Sequence, residues 1–337
     1  MFIKTFNIQL IFVAKESNFM KKIAFIDIVH PILQQRLEKN NFICDDLTHL
    51  SKFEIETQIS NYHGIVIRSR FAMDEQFLSK ATKIEFIARS GAGMENIDLD
   101  YCKAQDIKLF NAPEGNRNAV GEHALAMLLS LFNNLNQGDQ EIRNGIWERE
   151  GNRGVELDGK TIGIIGFGNN GQAFAKKLKG FDVNVLVYDK YKSNFGNDSI
   201  SEVSMAVIFK EADIISLHIP QDEDTLFLVN EAFLSKFNKN IYLINLSRGK
   251  IVKTSSLVKG IKSGKVKGAC LDVLEFEKSS FENIFSDKLN LPDEFNFILN
   301  SKKTLLSPHV GGWTKESYFK LSDVLADKIL NMEPVTK

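Results

Sequence analysis

The chain has 337 residues, enough for two domains of ordinary size. It is 43% hydrophobic and 25% charged, and its formal net charge of −1 predicts no basic face for nucleic acid. Cys44, Cys102 and Cys270 are far apart and fit neither a zinc motif nor a disulfide framework, which predicts reduced thiols in a cytoplasmic protein without a metal. No stretch approaches the roughly 18 apolar residues of a membrane span, so no membrane partner is predicted.

Residues 1–19 precede the first predicted strand. Their short apolar run is broken by Gln9 and is shorter than the apolar core of a secretory signal. Met20 is followed at once by the apolar residues of a strand at 23–26. We therefore expect residues 1–19 to be a peripheral extension.

Short apolar runs alternate with amphipathic stretches from residue 21 to about residue 118. The predicted elements are strands at 23–26, 64–67 and 84–88, and helices at 31–39, 52–60 and 74–81. This alternation is typical of parallel β-α-β units. Residues 118–143 then carry apolar side chains at helical spacing, which predicts one long helix that links domains or forms a subunit contact.

A second series of the same kind begins at Lys160. Its predicted elements are strands at 161–165, 184–188, 214–217, 241–245, 267–271 and 304–306, and helices at 172–178, 231–237 and 255–263. Residues 278–303 form a longer and less patterned connection, and the last predicted element is an amphipathic helix at 314–331. The fold class predicted by both series is α/β with parallel sheets.

A G-x-G-x-x-G pattern opens the second series at residues 166–171. It directly follows an apolar strand and directly precedes a helix, which separates a dinucleotide-binding loop from an ordinary glycine-rich turn. In such a loop the glycines permit a tight turn, close approach of a pyrophosphate, and close packing of helix on strand. The candidate cofactor residues here are Gly166, Gly168, Asn169, Asn170 and Gly171.

Asp189 follows the next predicted strand, eighteen residues after Gly171. A carboxylate at that distance accepts hydrogen bonds from the adenine-side ribose and repels a 2′-phosphate, so NAD is predicted in preference to NADP. Lys190 and Lys192 weaken this preference because they place positive charge nearby. The alternative is an Asp that only begins a turn.

Arg248, Glu277 and His309 each come shortly after a predicted strand. Ligands of doubly wound sheets bind beyond the carboxyl ends of the strands, the edge that also holds the glycine loop. Each residue alone has an ordinary alternative: a surface ion pair, a solvated acidic loop, and a packed turn, respectively. Together they predict an active site beside a nicotinamide.

These three side chains suit the oxidation of a 2-hydroxy acid. An imidazole with a pKa near 7 can accept the hydroxyl proton while hydride leaves the same carbon. A carboxylate beside it orients the ring and favours the imidazolium. A guanidinium can bind the substrate carboxylate through two hydrogen bonds.

The sequence resembles the D-isomer-specific 2-hydroxyacid dehydrogenases from residue 21 to about residue 325. The likeness rests on matched stretches in one order, at residues 89–98 (RSGAGMENID), 111–116, 119–124, 156–171, 217–220, 245–249, 271–277 and 307–312. The resemblance implies two doubly wound parallel-sheet domains, Rossmann-like or flavodoxin-like, with an active-site cleft between them.

The resemblance also implies a discontinuous first domain. Residues 1–118, with 310–337 returning to them, would form the substrate domain. Residues 119–309 would form the NAD-binding Rossmann domain. The helix near residues 119–143 would then take part in a homodimer contact.

The resemblance implies roles for further residues. Arg248, Glu277 and His309 would be the catalytic trio, and the backbone amides of Ala92 and Gly93 would hold the substrate carboxylate. The implied cofactor contacts beyond the glycine loop and Asp189 are His218, Pro220, Thr225, Asp272 and Gly311. For His218 taken alone, a structural role is the better interpretation.

Within the family the likeness is closest to the phosphoglycerate dehydrogenases. Arg68, Ser69, Arg89 and Asn111 match positions that meet the substrate there, phosphate included, although an arginine alone can equally be a surface charge. The resemblance thus implies oxidation of D-3-phosphoglycerate to 3-phosphohydroxypyruvate for serine biosynthesis. The alternatives are a reductase of glyoxylate, hydroxypyruvate or another small 2-keto acid, and an NAD-sensing scaffold similar to a corepressor.

The sequence departs from the family pattern at two places. Lys278 follows Glu277 where the family usually has Pro, and the connection from Glu277 to His309 is longer than usual. Because the chain ends at Lys337, no C-terminal serine-binding domain is expected.

Overall fold

Two parallel β-sheets form the framework of the protein. The computed structural model describes residues 20–277 and 291–332. The predicted peripheral extension at residues 1–19 lies outside the described residues, as does Lys278. Both sheets are covered by helices, so the predicted α/β class with two doubly wound parallel sheets is confirmed.

The first sheet has five parallel strands in the order β2-β1-β3-β4-β5. Its elements are β1 (Lys22–Phe25), α1 (Ile32–Lys39), β2 (Ile43–Asp46), α2 (Lys52–Gln58), β3 (Gly64–Ile67), α3 (Glu75–Leu78), β4 (Phe86–Arg89), α4 (Leu99–Ala104) and β5 (Lys108–Phe110). Every residue of β3 and β4 is buried, as expected for central strands with helices on both faces.

The second sheet has seven parallel strands in the order β12-β11-β10-β9-β6-β7-β8. Its strands are β6 (Thr161–Ile165), β7 (Asn184–Tyr188), β8 (Ser201–Glu202), β9 (Ile214–Leu217), β10 (Ile241–Asn245), β11 (Val266–Leu271) and β12 (Thr304–Leu306). The strand order reverses between β6 and β9, which places the topological switch point beside the glycine loop after β6.

Helices cover both faces of the second sheet. They are α5 (Pro113–Phe132), α6 (Leu135–Arg143), α7 (Asn169–Lys177), α8 (Met205–Glu211), α9 (Glu231–Ser235), α10 (Thr254–Ser263) and α11 (Asp293–Asn300). Helix α11 falls within the long, less patterned connection at 278–303, for which no element was predicted. Its buried residues are Phe295 and Ile298.

The single long helix predicted over residues 118–143 is wrong. Two helices, α5 and α6, occupy that stretch. Asn134 between them has φ 50° and ψ 33°, a left-handed conformation that Asn tolerates better than most residues and that a continuous right-handed helix excludes. The apolar periodicity therefore runs across a break that one Asn backbone creates.

The last helix, α12 (Lys315–Asn331), packs against the first sheet although its sequence neighbours belong to the second. Leu325 and Ile329 of α12 are fully buried in one cluster with Ile23 and Phe25 of β1. The C-terminal helix therefore shares the core of the N-terminal sheet.

The three cysteines are free thiols: Cys102 and Cys270 are buried, and Cys44 is half-buried. Within the described parts of the chain, no helix combines the length and the apolar character needed to cross a membrane.

Candidate active site

A cleft of about 480 Å³ lies between the carboxyl edges of the two sheets. From the first half it is lined by the predicted residues Arg68, Ser69, Arg89, Ala92 and Gly93. From the second half it is lined by Asn170, Arg248, Asp272, Glu277, His309 and Gly311. The structure thus brings the predicted catalytic trio and five of the six predicted substrate residues to one cleft.

His309 and Glu277 form a hydrogen-bonded pair in this cleft. The Nδ1 atom of His309 is 2.8 Å from Oε2 of Glu277, and about three quarters of each side chain is buried. The other oxygen, Oε1 of Glu277, accepts from the backbone amide of Leu274. The carboxylate is therefore held at both oxygens and fixes the orientation of the imidazole ring.

Asp272 holds the backbone of the loop that carries His309. Its side chain is 2% exposed, and its carboxylate accepts from the amides of Val310 at 2.9 Å and Gly311 at 2.8 Å. The amide of His309 donates to the carbonyl of Asp272 at 2.8 Å. Asp272 was predicted to contact the cofactor, and it lines the cleft. Its carboxylate accepts hydrogen bonds from the loop between Ser307 and Gly311.

Arg248 reaches across the cleft to Glu95, which follows β4 in the other half. Its Nε and Nη2 atoms both lie 2.6 Å from Oε1 of Glu95, and its Nη1 donates to the carbonyl of Ser247 at 2.7 Å. Burial raises the pKa of the Glu95 carboxyl, but the charge and hydrogen bond of Arg248 outweigh burial and hold that pKa below its usual value. Glu95 is therefore ionised beside the guanidinium at neutral pH.

Arg89 and Asn111 support the backbone of the glycine-rich turn after β4. Nη1 of Arg89 donates to the carbonyl of Gly93 at 2.6 Å, and Nε donates to the carbonyl of Arg68 at 3.0 Å. Nδ2 of Asn111 donates to the carbonyl of Ala92 at 2.6 Å. Burial lowers the pKa of Arg89 to about 10. Arg89 lines the cleft, whereas Asn111 lies behind its lining.

Arg68 and Ser69 follow β3, where Asp27 fixes their backbone. One carboxylate oxygen of Asp27 accepts from the amides of Arg68 at 3.0 Å and Ser69 at 2.8 Å. The guanidinium of Arg68 lies 4.2 Å from the ring centroid of Trp313, a cation–π distance, and burial lowers its pKa. Trp313 itself lines the cleft.

The glycine loop has the tight geometry that a dinucleotide site requires. Gly166 has φ 94°, and a Cβ on it would lie 2.4 Å from the carbonyl oxygen of His218. A Cβ on Gly171 would lie 2.1 Å from the carbonyl oxygen of Gly166. Gly168 faces open space and precedes α7 without a side-chain cap, so the first N–H groups of α7, including that of Asn169, suit a pyrophosphate.

Asp189 lies beside this loop at the end of β7. Its carboxylate accepts from the amides of Phe167 at 2.6 Å, Tyr191 at 2.9 Å and Lys192 at 2.9 Å. Burial raises the pKa of Asp189, but these hydrogen bonds outweigh it and hold the pKa below its usual value. A fixed, ionised carboxylate at this position suits an unphosphorylated ribose.

His218, Pro220 and Thr225 follow β9, beyond the lining of the cleft. Nε2 of His218 is 2.8 Å from Oγ of the buried Ser216, and burial lowers the pKa of His218 to about 4. Oγ1 of Thr225 donates to the carbonyl of Pro220 at 2.7 Å. His218 is therefore neutral at physiological pH and lies against the glycine loop through its carbonyl.

Three residues in contact with the site were not assigned roles from the sequence: Glu95, His123 and Trp313. Glu95 and Arg248 lie 153 positions apart in the chain, and His123 contacts Ser307 across 184 positions. Glu95 and His123 stand in stretches that carry the family resemblance, which was the available signal. The contact of Glu95 depends on how the two halves face each other, and that of His123 on where α5 packs, and periodicity encodes neither.

Comparison with known proteins shows the family of the chain. A family profile described as D-isomer specific 2-hydroxyacid dehydrogenase, NAD binding domain, matches residues 125–311. The D-3-phosphoglycerate dehydrogenase of Archaeoglobus fulgidus is 31% identical, with 90% of this chain and 56% of that protein covered. The hydroxypyruvate reductase of Thermotoga maritima is 31% identical, with 83% of this chain and 88% of that protein covered.

A solved structure of D-lactate dehydrogenase from Aquifex aeolicus, complexed with NAD and lactic acid, superposes with a TM-score of 0.77 at 25% identity, over 92% of this chain and 95% of that chain. The protein belongs to the D-isomer specific 2-hydroxyacid dehydrogenase family, whose members are NAD-dependent oxidoreductases. It carries the NAD-binding domain of that family. The chain spans about half the length of the phosphoglycerate dehydrogenases that it matches.

Proposed function

We propose that the protein oxidises a D-2-hydroxy acid, or reduces the matching 2-keto acid, with NAD(H) in the cleft between its two halves. The observation that carries this proposal is the hydrogen-bonded pair of His309 and Glu277 facing the same cleft as Arg248. An acid–base group and an anion-binding group at the sheet edge of a dinucleotide loop are what this chemistry needs.

The side chains divide the work as follows. NAD, when bound, supplies the hydride acceptor. Arg248 binds the substrate carboxylate, together with the backbone amides of Ala92 and Gly93. Nε2 of His309 takes the hydroxyl proton, and Glu277 on Nδ1 stabilises the imidazolium that results. In the reduction direction His309 returns that proton to the carbonyl oxygen.

The cofactor site in this proposal extends from the cleft along the carboxyl edge of the second sheet. The amides of the glycine loop hold the pyrophosphate, and Asp189 accepts from the ribose hydroxyls. The chain segment with His218, Pro220 and Thr225 borders the cofactor. Residues 119–309 form the cofactor domain, and residues up to 118 with the C-terminal helix form the substrate domain.

We propose D-3-phosphoglycerate as the substrate, oxidised in the direction of serine biosynthesis. Support comes from Arg68 and Arg89 in the cleft, opposite Arg248, since three guanidinium groups suit a substrate with both carboxylate and phosphate. Several relatives near 30% identity bear the name D-3-phosphoglycerate dehydrogenase.

The second candidate is a reductase of hydroxypyruvate or glyoxylate. One observation favours it: Arg89 donates to backbone carbonyls and Arg68 stacks on Trp313, so both guanidinium groups already have partners within the protein. A relative whose length is well covered by this chain bears the name hydroxypyruvate reductase.

Steady-state assays with a panel of acids distinguish these candidates. The panel contains 3-phosphoglycerate, D-glycerate, D-lactate and L-lactate with NAD⁺, and 3-phosphohydroxypyruvate, hydroxypyruvate and glyoxylate with NADH. We expect the highest kcat/KM for the phosphorylated pair and discrimination against the L-enantiomer. Turnover of unphosphorylated acids alone would replace phosphoglycerate by the second candidate. NAD binding with no turnover of any acid would favour the corepressor-like scaffold.

We also propose that the protein is a homodimer formed around α6. Among its residues none is buried, and Leu135 and Ile142 expose 57% and 56% of their surface. Ile146 and Trp147 continue this exposed apolar surface, with 52% and 80% exposed. A second copy of the chain would bury it. Light scattering is expected to give twice the mass of the chain, and the monomer mass would contradict the proposal.

The cytoplasmic location of the protein stays a prediction.

A further inference from the structure

His123, on helix α5, contacts the loop that carries His309. Its Nε2 atom is 2.9 Å from Oγ of Ser307, and Oγ of Ser307 donates to Oδ1 of Asp272 at 2.6 Å. The single hydroxyl proton of Ser307 is used in the bond to Asp272, so the proton between Ser307 and His123 belongs to Nε2 of His123. The hydrogen bonds therefore run from His123 as donor to Ser307, and from Ser307 as donor to Asp272.

The same carboxylate fixes the backbone on the far side of His309. Oδ1 of Asp272 also accepts from the amide of Val310, and Oδ2 accepts from the amide of Gly311. His309 between these contacts has φ 55°, a left-handed conformation that a residue with a Cβ adopts only when its surroundings hold it there. The position of the His309 ring thus depends on how firmly Asp272 is held.

We propose that His123 is a positioning residue for His309. Its Nε2–H holds Ser307, Ser307 holds the buried carboxylate of Asp272, and that carboxylate clamps the amides on the loop after Ser307. His123 contacts Ser307 and lies 3.6 Å from Asp272, so the role proposed for it is to hold this loop and not to exchange a proton with the substrate. The inference rests on the proposed function, in which His309 is the acid–base group.

The chain offers a matched pair of variants and a control. His123→Gln retains an N–H donor at a reach similar to Nε2, and His123→Leu removes the donor while retaining apolar bulk. His49→Leu makes the same substitution at an exposed position. We expect His123→Leu to lower kcat by about tenfold with little change in KM for substrate or in NAD affinity, because a displaced base weakens only the transition state.

Rescue and coupling separate positioning from a general structural effect. We expect His123→Gln to retain kcat within about threefold of the parent, and His49→Leu to leave it unchanged. Because His123 acts through Ser307, the double variant His123→Leu with Ser307→Ala should be no slower than Ser307→Ala alone. Multiplicative losses in the double variant, or an equal loss in His123→Gln, would overturn the proposal.

Amide hydrogen exchange of the segment from residue 304 to residue 313 gives a readout that needs no turnover. His123→Leu should exchange the amides of Val310 and Gly311 at least several-fold faster than the parent, with the unfolding midpoint tracked alongside, whereas His123→Gln should not. Unchanged exchange in His123→Leu would overturn the proposal. If the parent protein oxidises no acid, the proposed function fails, and exchange still decides whether His123 positions the loop.

Discussion

The contact with Glu95 fixes the orientation of the Arg248 guanidinium. One oxygen of Glu95 lies within hydrogen-bond distance of both Nε and Nη2 of Arg248, and the carbonyl of Ser247 accepts a hydrogen bond from Nη1. The edge formed by Nη1 and Nη2 is therefore the one suited to bidentate binding of a carboxylate. Glu95 thus orients Arg248, and it also places a negative charge beside the anion that Arg248 is proposed to bind.

Glu95→Gln tests this orientation. The amide oxygen can still accept from Arg248, but the charge-assisted hydrogen bond is lost, so we expect kcat/KM to fall by about tenfold. The measurement is initial rates against substrate concentration. Glu75→Gln, at an exposed position on α3, is the matched control. Unchanged kcat/KM in Glu95→Gln would show that Arg248 needs no support from the other half.

At the scale of elements, apolar sequence runs predict every interior strand and the edge strand β12, and they miss the other three edge strands, β2, β5 and β8. The predicted bounds of β3, β6, β7, β9, β10 and β12 coincide with the observed ones. Central parallel strands are buried on both faces, so their sequences are continuous apolar runs. β2, which contains Asp45 and Asp46, and β8, with two exposed residues, are edge strands, and their partial burial removes that signal.

The break between α5 and α6 shows the opposite limit, because the helical period continues through it. What ends α5 is the backbone of Asn134, with φ 50°. A single residue that tolerates the left-handed region interrupts about seven turns of predicted helix. Periodicity reports which side chains face the core and gives no information on the dihedral angles of one polar residue.

Substitutions at Asn134 are expected to separate by backbone conformation. Asn134→Gly should unfold at the parent denaturant concentration or slightly above, because glycine adopts positive φ without steric cost. Asn134→Val should lose about 1–2 kcal/mol of unfolding free energy, because a β-branched residue is strained there. Urea unfolding checks both. Since each variant loses the side-chain amide, equal stabilities for Gly and Val would contradict a strained left-handed break.

At the scale of the whole molecule, the site exists only where the two halves face each other. The glycine loop, Asp189, Arg248 and His309 were predicted from one half because strand ends share one edge of a sheet. The partners Glu95 and His123 were not, because contacts across 153 and 184 positions follow from the relative placement of the halves and of α5. Sequence patterns describe elements, and such contacts belong to tertiary packing.

The half-buried His218 makes global stability depend on pH. Its pKa is about 4 in the folded protein and near 6.5 when unfolded, so the folded state favours the neutral ring. Its contribution is complete above pH 6.5 and is lost as the pH falls toward 4. Between pH 6.5 and pH 4 the unfolding free energy of His218→Gln should fall by up to about 3 kcal/mol less than that of the parent. Unfolding measured at several pH values checks this. His49→Gln is the control, and parallel pH profiles for His218→Gln and the parent would contradict the assignment.

The central claim is that the cleft carries out acid–base catalysis through His309, and the kcat of His309→Gln on the best acid of the panel tests it most directly. We expect NAD to bind with unchanged affinity while kcat falls by roughly 10²–10⁴-fold, the contribution of general acid–base catalysis. Turnover within threefold of the parent, with NAD bound, would contradict the account.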